Sequence, residues 1–131
     1  MTRLDPIIAV ENVEASANWY RQVFGFNRQH GGNEFAVLVN EDGEIVLALH
    51  QWGAHDHPTM LKPATTAGNG LILYFRTTRI DSIRQNLRDM DAVVEQEMHV
   101  NPNSLKAEFS VRDPDGYYLS ISQFHEYGGQ P

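Results

Sequence analysis

The order of apolar segments in this chain repeats after about 64–65 residues. In each half, a short apolar strand is followed by an amphipathic helix and then by three more strands. The repeat is one of pattern rather than identity. The matched helix positions are Trp19, Val23 and Phe26 in the first half, and Ile83, Leu87 and Met90 in the second. The sequence therefore predicts an α+β protein of two tandem βαβββ modules, each with one sheet face under its own helix. A ferredoxin-like α+β domain is the alternative, and it has one split βαβ pattern.

The first module begins with a predicted strand at Ile7–Val10 and a predicted helix at Val13–Phe24. Asn12 or Glu11 could cap the start of the helix, because short polar side chains accept hydrogen bonds from its first N–H groups. Gly25 stands where a glycine usually ends a helix. One helical stripe holds four apolar residues, Ala15, Trp19, Val23 and Phe26, and this stripe is expected to face the core.

The remaining strands are predicted from alternating apolar residues between turn signals. They lie at 35–39, 44–51, 71–75, 93–100, 106–111 and 117–124. The segment 52–68 has no periodicity and is expected to be a loop. We expect one domain over residues 1–131, with modules at about 4–62 and 68–126. The two uncovered sheet faces must be buried together or left as a cleft.

Residues 109–124 predict a hairpin that closes the second module. The turn is Asp-Pro-Asp-Gly at 113–116, where proline pre-sets φ and glycine accepts a positive φ. In the strand that follows, apolar and polar residues alternate. The apolar face holds Tyr117, Leu119 and Ile121, and the opposite face holds Tyr118, Ser120 and Ser122. Two hydroxyls and a phenol on one face are typical of the floor of a polar cleft.

Composition excludes several classes of protein. The chain has no cysteine, which excludes disulfides, thiolate metal sites and cysteine nucleophiles. The net charge of −7 argues against binding to nucleic acid, which needs a basic surface. No apolar run approaches ~20 residues and no signal peptide is recognisable, so we expect a cytoplasmic protein without membrane contact.

The closing hairpin and the first helix carry a resemblance to a known family. Asp-Pro-Asp-Gly followed by an aromatic, and the segment VENVEASANWYRQVFGF at 10–26, resemble the vicinal oxygen chelate superfamily. That superfamily includes glyoxalase I, the extradiol dioxygenases and the bleomycin- and fosfomycin-resistance proteins. The resemblance implies curved sheets that enclose a cleft between the two modules, and it implies a homodimer.

The same resemblance assigns four positions to metal ligands. In the metal-dependent members one ligand stands on each of four strands, and it is usually His, Gln or Glu. The matching residues here are Asp5, Ala48, Gly70 and Ser120. Alanine and glycine have no side-chain donor, and a serine hydroxyl is a poor ligand. The chain therefore resembles the metal-free, bleomycin-resistance-like branch, for which no cofactor and no catalytic residue are expected.

A small-molecule ligand is the expected partner. Strand alternation aims His50 into the cleft, away from the helix, and Trp52 has the same parity. The predicted ligand-binding residues are His50, Trp52, Tyr74, Tyr118, Ser120 and Ser122. Aromatic rings would stack on an aromatic or antibiotic-like ligand, while His50 and Ser120 would orient it. Binding or sequestration of such a compound is the predicted function.

Two other functions stay open at this point. One is a metal-dependent lyase, isomerase or dioxygenase whose displaced ligand set for a divalent metal is built from Asp5, His50, His55 or His57. Against it, His55 and His57 are expected to point to opposite sides of an extended loop, which favours a solvated loop. The other is a module that regulates or assembles with another protein.

Overall fold

A computed structural model describes residues 1–55, 57–61 and 68–126. The chain divides into two compact units, Met1–Ala67 and Gly68–Pro131. Within these described ranges, each unit contains one α-helix and one four-stranded mixed sheet. The prediction of an α+β protein with two tandem βαβββ modules is therefore confirmed. Among the described residues, no helix is long and apolar enough to cross a membrane.

The elements follow the predicted order, although the second strand of the first unit, Asn27–Gln29, had no predicted bounds. The first unit contains β1 (Ile7–Val10), α1 (Val13–Phe24), β2 (Asn27–Gln29), β3 (Phe35–Val39), β4 (Ile45–Gln51) and a short 3-10 helix (Pro58–Met60). The second unit contains β5 (Leu73–Thr77), α2 (Ile80–Asp89), β6 (Val94–Val100), β7 (Ala107–Arg112) and β8 (Tyr118–Gln123). The 3-10 helix lies within the segment 52–68, for which the sequence predicts a loop.

The first sheet has the strand order β1-β4-β3-β2. Strand β4 runs parallel to β1 and antiparallel to β3, so it lies in the middle of the sheet. Leu47 and Leu49 of β4 and Leu38 of β3 are completely buried. Alternation along β4 therefore places His50 on the face opposite these leucines.

Helix α1 has the predicted bounds, but its buried face differs from the predicted stripe. Ala15 is exposed and Trp19 is half-buried, whereas Tyr20 is completely buried. The buried residues of the helix are Val13, Ser16, Ala17, Tyr20, Val23 and Phe24. The small side chains of Ser16 and Ala17 lie on the buried face between the larger residues. The Tyr20 ring also stacks with Phe24, with centroids 6.0 Å apart.

The two ends of α1 are capped as predicted. The Asn12 side chain accepts a hydrogen bond of 2.9 Å from the Ala15 N–H. At the other end Gly25 has φ 80°, and its N–H donates to the Arg21 carbonyl at 2.8 Å. A left-handed residue at this position satisfies a terminal carbonyl that would otherwise lack a partner.

Replacing the capping residue should lower the stability of the folded protein measurably. We expect Asn12→Ala to lower the free energy of unfolding by about 1 kcal/mol, because the helix loses its side-chain cap. Asn12→Asp keeps an acceptor oxygen and should stay close to the wild type. Urea unfolding of the three proteins compares these values, and equal losses in both variants would contradict the capping explanation.

The second sheet has the order β5-β8-β7-β6, with β8 in the middle. Ile83 and Leu87 of α2 are buried, as their spacing predicted, and Ile80 is buried as well, while Met90 lies just beyond the helix and is half-buried. Strand β5 begins at Leu73 rather than at residue 71. Leu71 and Ile72 are apolar but exposed, so the apolar run begins before the hydrogen-bonded strand.

An ion pair joins α2 to β6. The buried Arg84 donates two hydrogen bonds of 2.9 Å to the carboxylate of Glu97. These bonds, helped by the Met98 N–H, lower the pKa of the Glu97 carboxyl to about 2. The guanidinium also lies 5.9 Å from the centre of the Phe109 ring. The pair therefore orients the helix against the edge of its sheet.

The turn at 113–116 is held by the first aspartate. Asp113 is buried, and its Oδ1 accepts hydrogen bonds of 2.9 Å from the N–H groups of Asp115 and Tyr117. The Gly116 N–H donates to the Asp113 carbonyl at 2.9 Å, and Gly116 has φ 91°. These contacts confirm the predicted hairpin and fix where β8 starts.

Candidate functional site

His50 occupies the middle of the first sheet on the face away from α1. Its neighbours in register are Ala9 on β1 and Phe35 on β3. Side chains in register lie beside one another on the same face. The methyl group of Ala9 leaves room on one side, and the Phe35 ring lies edge-on to the imidazole at 6.2 Å. The imidazole is held between them with only 4% of the residue exposed.

The hydrogen bonding of His50 fixes its tautomer. Its Nδ1 lies 2.8 Å from the backbone oxygen of Gln51. A carbonyl oxygen can only accept, so Nδ1 carries the hydrogen. In the neutral ring Nε2 is then a bare acceptor. This Nε2 is buried and has no hydrogen-bond partner among the described residues.

Three histidine rings lie together at this place. The His50 ring centroid is 5.3 Å from that of His55 and 5.3 Å from that of His57. The His55 and His57 centroids are 6.1 Å apart. The expectation that these two side chains point to opposite sides was therefore wrong, since residues two apart share a side even in an extended chain. Here His55 has φ 61°, so the chain turns; Asp56, between them, lies outside the described residues.

A cavity of about 670 Å³ opens next to this cluster. We call it the His50 cavity. It is lined by Leu4, Asp5, Pro6, Ile7, Phe35, His50, His55, His57, Pro58, Thr59 and Met60. Apolar side chains and prolines form most of this lining, with one carboxylate, one hydroxyl and the three imidazoles. A volume of this size and a few convergent polar groups are typical of a small-molecule pocket.

Two of the four positions that hold metal ligands in the family carry no side-chain ligand atom here. Asp5 lies before β1, Ala48 is buried in β4, and Gly70 lies in a turn ahead of β5. Alanine and glycine supply no ligand atom. Asp5 and the three histidines line one cavity, but no three His, Asp or Glu side chains in the described part of the chain are arranged to hold an ion.

The second unit carries a separate polar face on the sheet β5-β8-β7. Ser120 lies in register with Tyr74 on one side and Ser110 on the other. The next row on the same face joins Arg76, Ser122 and Glu108. Tyr118 stands on this face as well, beside Arg112, whose guanidinium lies 5.0 Å from the centre of its ring. The structure thus places Tyr74, Tyr118, Ser120 and Ser122 on one face of this sheet, and their role in ligand binding stays a prediction.

Two buried polar atoms on this face lack a hydrogen-bond partner among the described residues: Ser110 Oγ and Glu108 Oε2. The other carboxylate oxygen of Glu108 accepts from Asn101 at 2.8 Å. The Tyr74 hydroxyl lies 3.0 Å from Nε2 of His125, which is half-buried. Sequence reasoning did not single out Ser110, although it has the parity of Glu108 and Arg112.

The predicted site residues fall into two groups in different units. His50 lies in the first, while the tyrosine and serine residues lie in the second. Trp52 follows β4 in a turn and is half-buried, and its backbone N–H donates to the Val10 carbonyl at 3.2 Å. The sequence did not predict that Phe35 and the 3-10 helix line the His50 cavity. The one signal for Phe35 was strand alternation, which places it on the same face of β3 as Val37. A joint cleft stays a prediction.

The sequence of the chain settles its family. Residues 3–121 match the Glyoxalase/Bleomycin resistance protein/Dioxygenase superfamily. The chain belongs to this superfamily. The resemblance of the closing hairpin and the first helix is therefore confirmed, whereas assignment to its metal-free branch stays a prediction. No curated protein matches this superfamily member.

Solved structures share the fold of this superfamily member at low identity. TioX from Micromonospora sp. ML1 is 16% identical with a TM-score of 0.73, covering 94% of this chain and 98% of its own. An integron cassette protein from V. cholerae is 21% identical with a TM-score of 0.70, covering 95% and 97%. Lactoylglutathione lyase from Agrobacterium tumefaciens is 16% identical with a TM-score of 0.69, covering 93% and 92%.

Proposed function

We infer that this protein is a metal-independent small-molecule-binding protein, which holds or sequesters an apolar or aromatic ligand in the His50 cavity. The observation that carries the proposal is the buried Nε2 of His50, which has no hydrogen-bond partner among the described residues and lies beside a cavity of about 670 Å³. A buried acceptor without a partner costs free energy, and such atoms in native proteins usually await a ligand or a water. The apolar lining around it would supply most of the binding energy.

The donor chemistry of the family positions supports binding without a metal. Ala48 and Gly70 have no ligand atoms, and the serine hydroxyl at position 120 stands where the metal enzymes have a carboxylate. The polar face of the second sheet, with Tyr74 and Ser120, is a further surface suited to contacts with a ligand.

Metal-dependent catalysis is the second candidate, and one observation favours it. Asp5, His50, His55 and His57, the displaced ligand set, line the same cavity. Imidazole and carboxylate are ligands that Zn²⁺ and Fe²⁺ accept. A lyase, isomerase or dioxygenase of this kind would purify with about one metal ion per chain.

The binding proposal is tested by screening aromatic and apolar compounds in thermal-shift assays. A ligand at a hundred times its Kd stabilises the folded state by about 3 kcal/mol, which is easily measured. We expect hits to lose binding in Thr59→Trp, which adds an indole to the wall of the His50 cavity, because Thr59 is exposed there. The control is His30→Asn, outside the cavity, since asparagine tolerates the φ of 56° at that position. Equal binding in both variants would mean that the ligand binds outside the His50 cavity.

Metal content separates the two candidates. We expect elemental analysis of untagged protein to find far less than one metal ion per chain. We also expect Zn²⁺, Ni²⁺, Mn²⁺ and Fe²⁺ to leave the melting temperature unchanged, because nothing in the folded state would bind them preferentially. A stoichiometric metal that His50→Ala removes would establish the second candidate instead.

A further inference from the structure

The His50 cavity has a polarity that selects among ligands. We propose that it recognises a neutral group that donates one hydrogen bond, such as a phenol or another hydroxyl, on an aromatic or apolar body. This inference rests on the proposed binding function. The receiving atom is Nε2 of His50, which holds the lone pair of the neutral ring because Nδ1–H donates to the Gln51 carbonyl at 2.8 Å, and which has no partner within the described part of the chain.

The surroundings of Nε2 argue against an anionic ligand. The described residues that line the cavity include no lysine or arginine, and the one permanent charge among them is the carboxylate of Asp5. An anion would meet a bare lone pair on His50 and a negative charge at Asp5. A neutral donor instead satisfies Nε2 without burying a charge.

The same surroundings argue against a cation at this atom. His50 is 4% exposed and lies between Ala9 and Phe35, while Asp5 is exposed. A buried ammonium needs a paired, buried counter-charge, and neither Ala9 and Phe35 beside the imidazole nor the neighbouring rings of His55 and His57 supply a negative charge. Recognition of a hydroxyl needs only the one acceptor that this position provides.

The body of the ligand follows from the rest of the lining. Phe35, Ile7 and Met60 offer an aromatic face, a branched aliphatic chain and a thioether. These groups bind flat apolar ligands well, since thioether sulfur and aromatic rings make favourable contacts with ring edges and faces. A phenolic ring system can therefore lie against the apolar wall with its hydroxyl directed at His50.

Four matched probes test this inference in the wild-type protein by calorimetry. They are 2-naphthol, 2-methoxynaphthalene, 2-naphthoate and 2-naphthylmethylamine, which share a ring system and differ in the polar group. We expect 2-naphthol to bind about tenfold more tightly than the methyl ether, which cannot donate, because one neutral hydrogen bond is worth about that factor. The anionic and cationic probes should bind more weakly than 2-naphthol.

His50→Phe provides the matched variant, because it keeps a ring and removes the acceptor. We expect this variant to bind 2-naphthol and the methyl ether about equally, with the methyl ether bound as tightly as in the wild type. Should this variant not fold, the ¹⁵N shift of Nε2 in histidine-labelled wild-type protein gives the same information. It should start at the value of an unprotonated nitrogen and move when 2-naphthol is added.

The outcomes separate this inference from the proposed function. Equal binding of 2-naphthol and 2-methoxynaphthalene would overturn the donor preference but leave a binding cavity. Preference for 2-naphthoate would mean that Nε2 is a donor, and preference for the amine would mean cation recognition; either result overturns the inference. If no probe binds at millimolar concentration, both the inference and the His50 cavity as a binding site are wrong.

Discussion

Gly31→Ala is expected to destabilise the protein by on the order of 3 kcal/mol, because it combines an unfavourable φ with a clash against the backbone. Gly31 has φ 97°, which alanine rarely adopts. A Cβ at this position would overlap the backbone oxygen of Phe35 and lie 2.7 Å from its carbonyl carbon. Backbone atoms cannot rotate away as a flexible side chain can, so strand β3 has to move.

The clash also reaches the candidate site. Phe35 pairs in register with His50 and lines the His50 cavity. Nearby, Arg28 donates hydrogen bonds to the carbonyls of Gly32 and Phe35, and its ion pair with Glu14 ties this loop to α1 at 2.7 Å. A displaced Phe35 backbone would therefore weaken ligand binding as well as stability.

The neighbouring glycine is a matched control. A Cβ on Gly32 would meet no atom within 4 Å, and the φ of this residue lies outside the left-handed region, so Gly32→Ala should leave stability almost unchanged. Urea unfolding measures both variants, and the midpoint should fall clearly for Gly31→Ala alone. Equal midpoints would mean that the loop relaxes around the added methyl group.

Asp113→Ala is the second substitution with a large expected effect, about 2–4 kcal/mol, because it leaves backbone donors without a partner. The carboxylate of Asp113 accepts from the N–H groups of Asp115 and Tyr117, and the second of these bonds is buried. The turn then loses the contacts that set the start of β8. Since β8 is the middle strand of its sheet, the loss spreads to β5 and β7.

The variant Asp113→Asn distinguishes the role of the hydrogen-bond acceptor from that of the negative charge. Asparagine keeps Oδ1 and can accept both hydrogen bonds, so we expect it to recover most of the stability that alanine loses. Urea unfolding followed by far-ultraviolet circular dichroism compares the three proteins. Similar losses in both variants would show that the negative charge, rather than the acceptor, holds the turn.

Much of the fold could be predicted because local signals agreed with each other. Asn12 and Gly25 gave the ends of α1, and the Asp-Pro-Asp-Gly turn gave the final hairpin. The buried face of α1 could not be predicted as well, since Trp19 and Tyr20 are both aromatic and only packing on the sheet separates them. The small buried residue Ser16 carries no apolar signal, so spacing alone favoured the wrong side.

The site was predictable where strands are regular and unpredictable where the chain turns. Alternation placed His50 away from α1 and grouped Tyr74 with Ser120, because side chains in a strand change face at each residue. The position of His55 beside His50 depends on a positive φ at a residue other than glycine. Nothing in the sequence indicates that conformation, so the histidine cluster emerged only from the structure.

The order of strands within each sheet determines when the chain can pair them. Strand β1 lies at the edge and pairs with β4, about 40 residues later, and β5 likewise pairs with β8. The hairpins β3–β4 and β7–β8 join neighbours in sequence and close short loops. Long-range pairing is slower because more chain entropy is lost before any contact forms. The first strand of each module to leave the ribosome is therefore expected to be the last to join its sheet. Each module can complete its folding only after its final strand has been synthesised.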